Sequence, residues 1–157
     1  MPTIPITPAG LAKLHTQLKR LREVERPQNV RDIEEARAHG DLRENAEYHA
    51  AKERQGHIAG QMQFLESVIA DAEVIDPKKL SGTRVTFGAT VTVTDVETEE
   101  TNRFQIVGEH EAELSAGQIS IKAPTARGLL GKEEGDEVAI TTPRGKRVLS
   151  IDKVEWL

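Results

Sequence analysis

Hydrophobic residues follow two different repeats along the 157-residue chain. Residues 8 to 75 place them at alternating spacings of three and four, the repeat of an amphipathic helix. From residue 84 onward apolar and polar residues alternate, as in half-buried β-strands. The change of repeat predicts an α+β protein with an antiparallel coiled-coil hairpin over residues 1–76, a linker over 77–82 and a β-rich domain over 83–157.

The first helical run has a clear start signal and one interruption. Thr7 suits a helix N-cap, and Pro8 suits the first helical position. The apolar stripe that follows consists of Leu11, Leu14, Leu18 and Leu21. Pro27 is expected to bend the helix or restart it, because proline lacks an amide and its ring clashes with the preceding turn. Val30 and Ile33 are predicted to continue the stripe.

A second helical run, from about Asp41 onward, carries a matching stripe. Its members are Tyr48, Ala51, Gln55, Ile58, Met62, Leu65, Ile69 and Ala72. Antiparallel matching of the two stripes places the reversal at Gly40, which is the only local helix breaker. Two helices of about thirty residues make a rod of roughly 45 Å, longer than a small domain needs for its own core. We therefore expect the rod to reach into another structure.

Alternation in the second half predicts an antiparallel, twisted sheet of four to six strands. The alternating runs are residues 84–94, 103–107, 118–122, 137–142 and 147–156. The last run changes phase between Ile151 and Val154, as a β-bulge would. The segment 124–132 is expected to form a short helix packed on the sheet.

Composition narrows the functional classes. The chain has no cysteine, which excludes disulfides, thiolate nucleophiles and cysteine-ligated zinc. No segment approaches the length of a membrane span, so we expect a cytoplasmic protein with no membrane partner. The net charge of −5 argues against strong autonomous binding to duplex DNA. Any contact with nucleic acid must be local or delivered by a partner.

The apex of the hairpin carries two carboxylates, Asp41 and Glu44. One interpretation is structural, with Asp41 as a helix N-cap and Glu44 three residues later in an acidic capping box. The other is functional, because two nearby carboxylates repel and a divalent cation, most naturally Mg²⁺, relieves that repulsion. Two carboxylates alone bind Mg²⁺ weakly, so a metal held mainly by another protein fits better than a self-contained site. The two roles are compatible, since capping uses only part of a carboxylate's acceptor capacity.

The run GDLRENAEYHAAKE, residues 40–53, closely resembles the hairpin tip of bacterial Gre transcript-cleavage factors. Its residue sequence is most similar to the GreA branch of that family. Further similarity lies in VID (74–76), FGATVTV (87–93) and ARGLLGK (126–132). The resemblance implies that the rod enters the secondary channel of RNA polymerase. There Asp41 and Glu44 would stabilise the second catalytic Mg²⁺ and help position the attacking water. The polymerase would then hydrolyse the RNA that it extruded by backtracking, with this protein as its cofactor and not an enzyme.

The same resemblance assigns roles to four more residues. Arg37 and Lys52 would lie near the 3′ end of the nascent RNA in the backtracked complex, although a solvated helix face explains them as well. The second half resembles the FKBP-like domain of these factors, which docks on the polymerase near the channel entrance. Pro124 and Arg127 lie in the segment where we expect that contact. We expect the protein to act as a monomer.

Three other functions compete with this interpretation. A channel regulator would occupy the polymerase without promoting cleavage, and the tip acids discriminate against it. A metal-dependent nuclease acting alone is disfavoured because no third or fourth ligand accompanies the tip. A prolyl isomerase with a coiled-coil dimerisation arm is disfavoured because the second half offers only three large aromatic candidates for its bowl, Phe87, Phe104 and Trp156.

Overall fold

The computed structural model describes residues 3–157 and divides into two compact units. The first unit comprises residues 12–71, and the second combines residues 3–11 with residues 72–157. This division differs from the predicted domains at the ends of the hairpin. The reason is a two-stranded parallel sheet, in which β1 (Ile4–Ile6) pairs with β2 (Ala72–Val74) and brings both segments into the second unit.

The hairpin consists of helix α1 (Pro8–Arg20), a π-helical turn (Leu21–Glu25), helix α2 (Arg26–Arg37) and helix α3 (Ala46–Asp71). Thr7 caps α1 as predicted, because its hydroxyl oxygen accepts a hydrogen bond from the amide of Gly10 at 3.1 Å. Across residues 3–157, none of the helices combines the length and the apolar character that spanning a membrane requires.

Pro27 neither breaks the first helix nor leaves it a regular α-helix. The π-helical turn immediately before it lets the amide of Arg26 bond to the carbonyl of Leu21, five residues back. Pro27 then occupies the first turn of α2, where a missing amide costs least. The α-helix thus resumes as α2 at Arg26, which agrees with a restart as one of the two predicted outcomes, while the chain stays helical through the π-helical turn.

Beyond the π-helical turn, the buried stripe continues at Asn29 and Ile33. Val30, predicted to continue the stripe, is 44% exposed, and Asn29 is buried in its place at 2% exposure. The amide nitrogen of Asn29 donates to the carbonyl of Ala51 at 2.9 Å, so the buried polar group is satisfied. Ile33 is buried as predicted.

The seam of the first unit is otherwise apolar. Its buried hydrophobic residues are Leu14, Leu18, Leu21, Ile33 and Ala36 facing Ala51, Ile58, Met62, Leu65 and Val68. One predicted member of the α3 stripe, Gln55, is wrong because it is exposed. Ile69 is half-buried, and its neighbour Val68 is buried more deeply. Burying a Leu, Ile, Met or Val side chain contributes roughly 1.5–3 kcal/mol relative to leaving it exposed, so the buried residues of this seam stabilise the hairpin.

The second unit contains a five-stranded sheet and one short helix. The strands are β3 (Thr90–Asp95), β4 (Thr101–Val107), β5 (Gln118–Ser120), β6 (Glu137–Thr142) and β7 (Gly145–Glu155), in the order β5-β4-β3-β7-β6. Helix α4 (Pro124–Leu129) lies within the segment predicted to be helical. The expectation of a wholly antiparallel sheet is wrong at one edge, because β5 runs parallel to β4. Residues 108–117 return the chain in the same direction, at about the shortest length of connection that parallel strands use.

The core of this unit follows the alternation seen in the sequence. The buried residues are Val85, Ala89, Val91, Val93, Ile106, Ala126, Leu129, Val138, Ile140, Leu149, Ile151 and Val154. The predicted phase change in the last strand is confirmed: Val93 pairs with Ile151 and Thr92 pairs with Lys153, which leaves Asp152 as the bulged residue.

Two carboxylates in the second unit are saturated with hydrogen-bond donors. Glu111 is 5% exposed and accepts from the amide of Thr7 at 2.9 Å, the amide of Gly108 at 2.9 Å and the Thr7 hydroxyl. A Cβ at Gly10 would collide with this carboxylate, so glycine is needed there for space. Glu111 thereby fixes the N-cap of α1.

Asp95, also 5% exposed, accepts from Arg147 Nε at 2.9 Å and from the amides of Glu97 at 2.9 Å and Thr98 at 3.3 Å. The bond from Arg147, followed by the two backbone amides, lowers the pKa of Asp95 below its ordinary value of 3.8.

Candidate functional site at the hairpin tip

The tip is the loop of residues 38–45, between the end of α2 and the start of α3. The amides of Ala38, His39 and Gly40 continue to bond to carbonyls of the last turn of α2, which closes that helix. Gly40 then adopts a φ of +112°, a conformation that side chains with a Cβ rarely adopt. The chain therefore reverses where the sequence predicts, and for the predicted reason.

The predicted capping box at the start of α3 is wrong. Helix α3 begins at Ala46, and its N-cap is Asn45, whose Oδ1 accepts from the amide of Tyr48 at 3.0 Å. Asp41 instead closes a short turn inside the loop, where its Oδ1 accepts from the amide of Arg43 at 3.0 Å. Asparagine and aspartate are equally good N-caps, so residue type alone does not favour Asp41 over Asn45.

Asp41 and Glu44 both lie in the exposed part of this loop. Asp41 uses one acceptor position in the turn with Arg43. Within residues 3–157, the structure gives the Glu44 carboxylate no hydrogen-bond or ion-pair partner. A carboxylate offers about four lone-pair positions, so the described residues leave most of the acceptor capacity of this pair free.

The tip does not contain a complete metal site. Nowhere in the described chain do three or more His, Asp or Glu side chains come together in a way that would hold a metal ion. Two carboxylates at the tip suit a Mg²⁺ ion whose other ligands come from elsewhere, because Mg²⁺ takes one or two protein carboxylates and fills its octahedron with water and phosphate oxygens.

The two predicted RNA-proximal cations flank the tip on opposite helices. The guanidinium carbon of Arg37 lies 5.9 Å from the centre of the Tyr48 ring, a cation–π contact that restrains Arg37 at the end of α2. Lys52 donates from Nζ to Gln55 Oε1 at 2.8 Å along α3. Both cations are exposed. Their role in contacting RNA stays a prediction.

Pro124 and Arg127 lie in the second unit and are not part of the tip site. Both are exposed on α4, whereas Ala126 and Leu129 of the same helix are buried in the sheet core. The structure thus places the two residues three positions apart on the outer face of the helix. Their role in docking stays a prediction.

Two family models account for nearly the whole chain. The model described as "Transcription elongation factor, N-terminal" matches residues 4–74, and the one described as "Transcription elongation factor, GreA/GreB, C-term" matches residues 80–156. The chain belongs to the GreA/GreB family of transcription elongation factors. The resemblance seen in the tip sequence is therefore confirmed, and so is the prediction of a transcription elongation factor.

Individual relatives of the GreA/GreB family match from end to end. Proteins named "Transcription elongation factor GreA" from Phenylobacterium zucineum and from Caulobacter vibrioides are each 55% identical over 157 residues, which is the full length of both chains. A solved structure titled "Structure of the transcription factor Gfh1" is 26% identical over 99% of each chain, with a TM-score of 0.47. Family membership depends on the sequence matches.

Proposed function

We propose that this GreA/GreB-family protein inserts the loop of residues 38–45 into the secondary channel of RNA polymerase and stimulates cleavage of backtracked RNA. The observation that carries the proposal is the pair Asp41 and Glu44, exposed together on the loop that joins two long helices, with most of their acceptor positions free. In this proposal the protein acts as a cofactor of the polymerase, because Asp41 and Glu44 supply at most two of the ligands that Mg²⁺ takes.

Asp41 and Glu44 complete a ligand set that the polymerase holds in part. When bound, Mg²⁺ stabilises the developing charge on the scissile phosphate and activates the attacking water. Asp41 contributes the oxygens left free by its turn, and Glu44 contributes a carboxylate with no internal partner. A carboxylate not bound to the metal accepts a hydrogen bond from the attacking water and so orients it.

Arg37 and Lys52 attract the displaced 3′ end of the RNA to the tip. Both are exposed cations next to a pair of anions, so they offset the repulsion between the acidic loop and the phosphates of the RNA. The contact between Arg37 and the ring of Tyr48 leaves the donors at the edge of the guanidinium available to phosphate oxygens.

The second unit docks on the polymerase through the outer face of α4. Pro124 and Arg127 are exposed there, and the buried face of the helix holds them to a rigid sheet. The protein acts as a monomer, since the hairpin closes its apolar seam within a single chain.

The test is transcript cleavage in stalled, backtracked elongation complexes with Mg²⁺, measured as release of short 3′ RNA fragments. The unmodified protein is expected to release them, whereas Asp41→Asn and Glu44→Gln lose the activity and still compete for polymerase. Glu47→Gln is the matched control, because it removes one exposed negative charge from the first turn of α3 without touching the loop. Naked RNA incubated with the protein and Mg²⁺ is expected to stay intact.

Two results would contradict the proposal. Undiminished fragment release by the Asp41→Asn, Glu44→Gln double variant would remove both acids from the mechanism. Binding of the unmodified protein to polymerase without any fragment release would show a channel regulator instead.

A further inference from the structure

The side chain of Asn45 connects the two ends of the hairpin tip. Its Nδ2 donates to the carbonyl of Ala36 in the last turn of α2 at 2.7 Å, while its Oδ1 accepts from the amide of Tyr48 in the first turn of α3 at 3.0 Å. The partners fix the orientation of the amide, because a carbonyl only accepts and a backbone N–H only donates. Only the second of these bonds is needed to cap α3.

A second side chain holds the loop itself. The Nε2 of His49 lies 3.0 Å from the carbonyl oxygen of Arg43, so Nε2 carries the proton and donates. Arg43 is also the residue whose amide bonds to Asp41. Arg43 is thus connected through its carbonyl to His49 of α3 and through its amide to the carboxylate of Asp41.

Apolar packing does not order this loop. Residues 38–44 are all exposed, and the side chain of Leu42, the only large hydrophobic residue among them, is 39% exposed. Asn45 is half-buried, and its partner Ala36 is 3% exposed, so the bond between them is sheltered from competing water. The side-chain hydrogen bonds of Asn45 and His49 therefore connect the loop to α2 and α3, the bond of His49 at an exposed position.

We infer that Asn45 and His49 form a tip clamp that positions Asp41 and Glu44, a role separate from helix capping. The inference rests on the proposed function of the two acids. Ligands shared with a metal on another protein must arrive within a fraction of an ångström of their working positions. A displacement of about 1 Å in such a group costs up to about a hundredfold in rate. Asn45 and His49 touch neither RNA nor metal in this scheme and act only through the loop.

The decisive variants keep the hydrogen bond from the amide of Tyr48 that caps α3 and remove the hydrogen bond to the carbonyl of Ala36. Asn45→Ser and Asn45→Asp both retain an oxygen that accepts from the amide of Tyr48, and both lose the donor to Ala36. We expect an unchanged midpoint of unfolding by circular dichroism, unchanged competition for polymerase and a rate of fragment release at saturation lower by about tenfold or more. Serine adds no charge, so comparing Asn45→Ser with Asn45→Asp separates the effect of losing the hydrogen bond to Ala36 from the effect of an added negative charge.

His49 allows a test by conservative rescue. Glutamine places an amide nitrogen close to the position of His49 Nε2 and restores a donor to the Arg43 carbonyl, whereas leucine restores none. The rate of fragment release at saturation is expected to stay within about threefold of the unmodified protein for His49→Gln and to fall about tenfold for His49→Leu. A merely structural role would move the unfolding midpoint of His49→Leu along with its rate.

The outcomes separate this inference from the proposal on which it rests. If the unmodified protein releases fragments and Asn45→Ser releases them at the same saturating rate, the tip clamp is contradicted and the role of the acids stands. A loss of rate in Asn45→Ser that is matched by an equal loss of helix stability would also contradict it. If the unmodified protein itself releases no fragments, the proposed function fails first.

Discussion

The hairpin tip and the second unit each contain two notable carboxylates, and the two regions treat them in opposite ways. Glu111 and Asp95 in the second unit are buried and each accepts from three donors. Asp41 accepts one internal hydrogen bond, and both tip acids are exposed. The carboxylates of the second unit are saturated from within, whereas the tip acids keep acceptor positions open, as their proposed role toward a partner requires.

The largest expected effect on stability comes from removing the Glu111 carboxylate, which accepts three hydrogen bonds. Glu111→Ala leaves the amides of Thr7 and Gly108 without their acceptor, and we expect the free energy of unfolding to fall by about 3 kcal/mol. Glu111→Gln keeps one acceptor oxygen and is expected to lose about 1 kcal/mol. Urea unfolding followed by fluorescence reports this unit specifically, because Trp156 is the only tryptophan. If Glu111→Ala were as stable as the unmodified protein, the hydrogen bonds to the Glu111 carboxylate would not stabilise the fold.

The lowered pKa of Asp95 makes the stability of the folded protein depend on pH. Its pKa is lowered in the folded state, mainly by the hydrogen bond from Arg147, so the folded protein holds its proton less tightly than the unfolded chain does. The stability that Asp95 contributes is therefore present above its ordinary pKa of 3.8 and is lost as the pH falls through the lower, folded-state pKa. Asp95→Asn is expected to be less stable at pH 7 and to lose less stability on acidification.

The measurement is urea unfolding of both proteins at a series of pH values from 7 down to about 2.5, across the range where carboxylates titrate. The difference in free energy between them is expected to shrink at the acid end. A difference that stays constant with pH would show that the carboxylate of Asp95 gains nothing from its three donors.

A smaller effect of opposite sign is expected at Asn29. This buried amide bonds to the carbonyl of Ala51, which lies inside α3 and keeps a helical partner of its own. Asn29→Leu therefore loses one side-chain hydrogen bond, leaves no orphaned group and adds apolar surface to the seam, for a gain of about 1 kcal/mol. Thermal unfolding followed by circular dichroism measures it. A loss of stability would place Asn29 with the saturated groups that hold the fold.

The smallest effect on stability is expected at the tip acids themselves. Asp41→Asn and Glu44→Gln are expected to change the free energy of unfolding by less than about 0.5 kcal/mol, because neither carboxylate is buried. The same urea experiment checks this, with Glu47→Gln as the control. A loss as large as that of Glu111→Gln would mean that the tip acids stabilise the fold, and the contrast between the two regions would disappear.

The parts of the fold that the sequence predicts correctly depend on local or periodic signals. Thr7 caps α1, Gly40 reverses the chain, and the phase change before Val154 marks a bulge. The parts that it misses depend on long-range packing. The pairing of β1 with β2 joins two three-residue segments far apart in the chain, too short to show a repeat.

The same distinction applies to the hairpin and its tip. The π-helical turn before Pro27 has no sequence signature, and the burial of Asn29 in place of Val30 is missed because Asn29 is polar and the apolar stripe does not reveal it. At the tip, Asp41 and Glu44 stand out by type and spacing, whereas Asn45 and His49 gain their significance only from the carbonyls that they reach.

The Mg²⁺ dependence of fragment release shows whether the tip acids act as ligands shared with the polymerase. Cleavage in backtracked complexes is measured across a Mg²⁺ series with the unmodified protein and with the Asp41→Asn, Glu44→Gln double variant, each at a concentration that saturates the polymerase. We expect the unmodified protein to lower the Mg²⁺ concentration for half-maximal cleavage and the double variant not to lower it. An equal lowering by both proteins would contradict it.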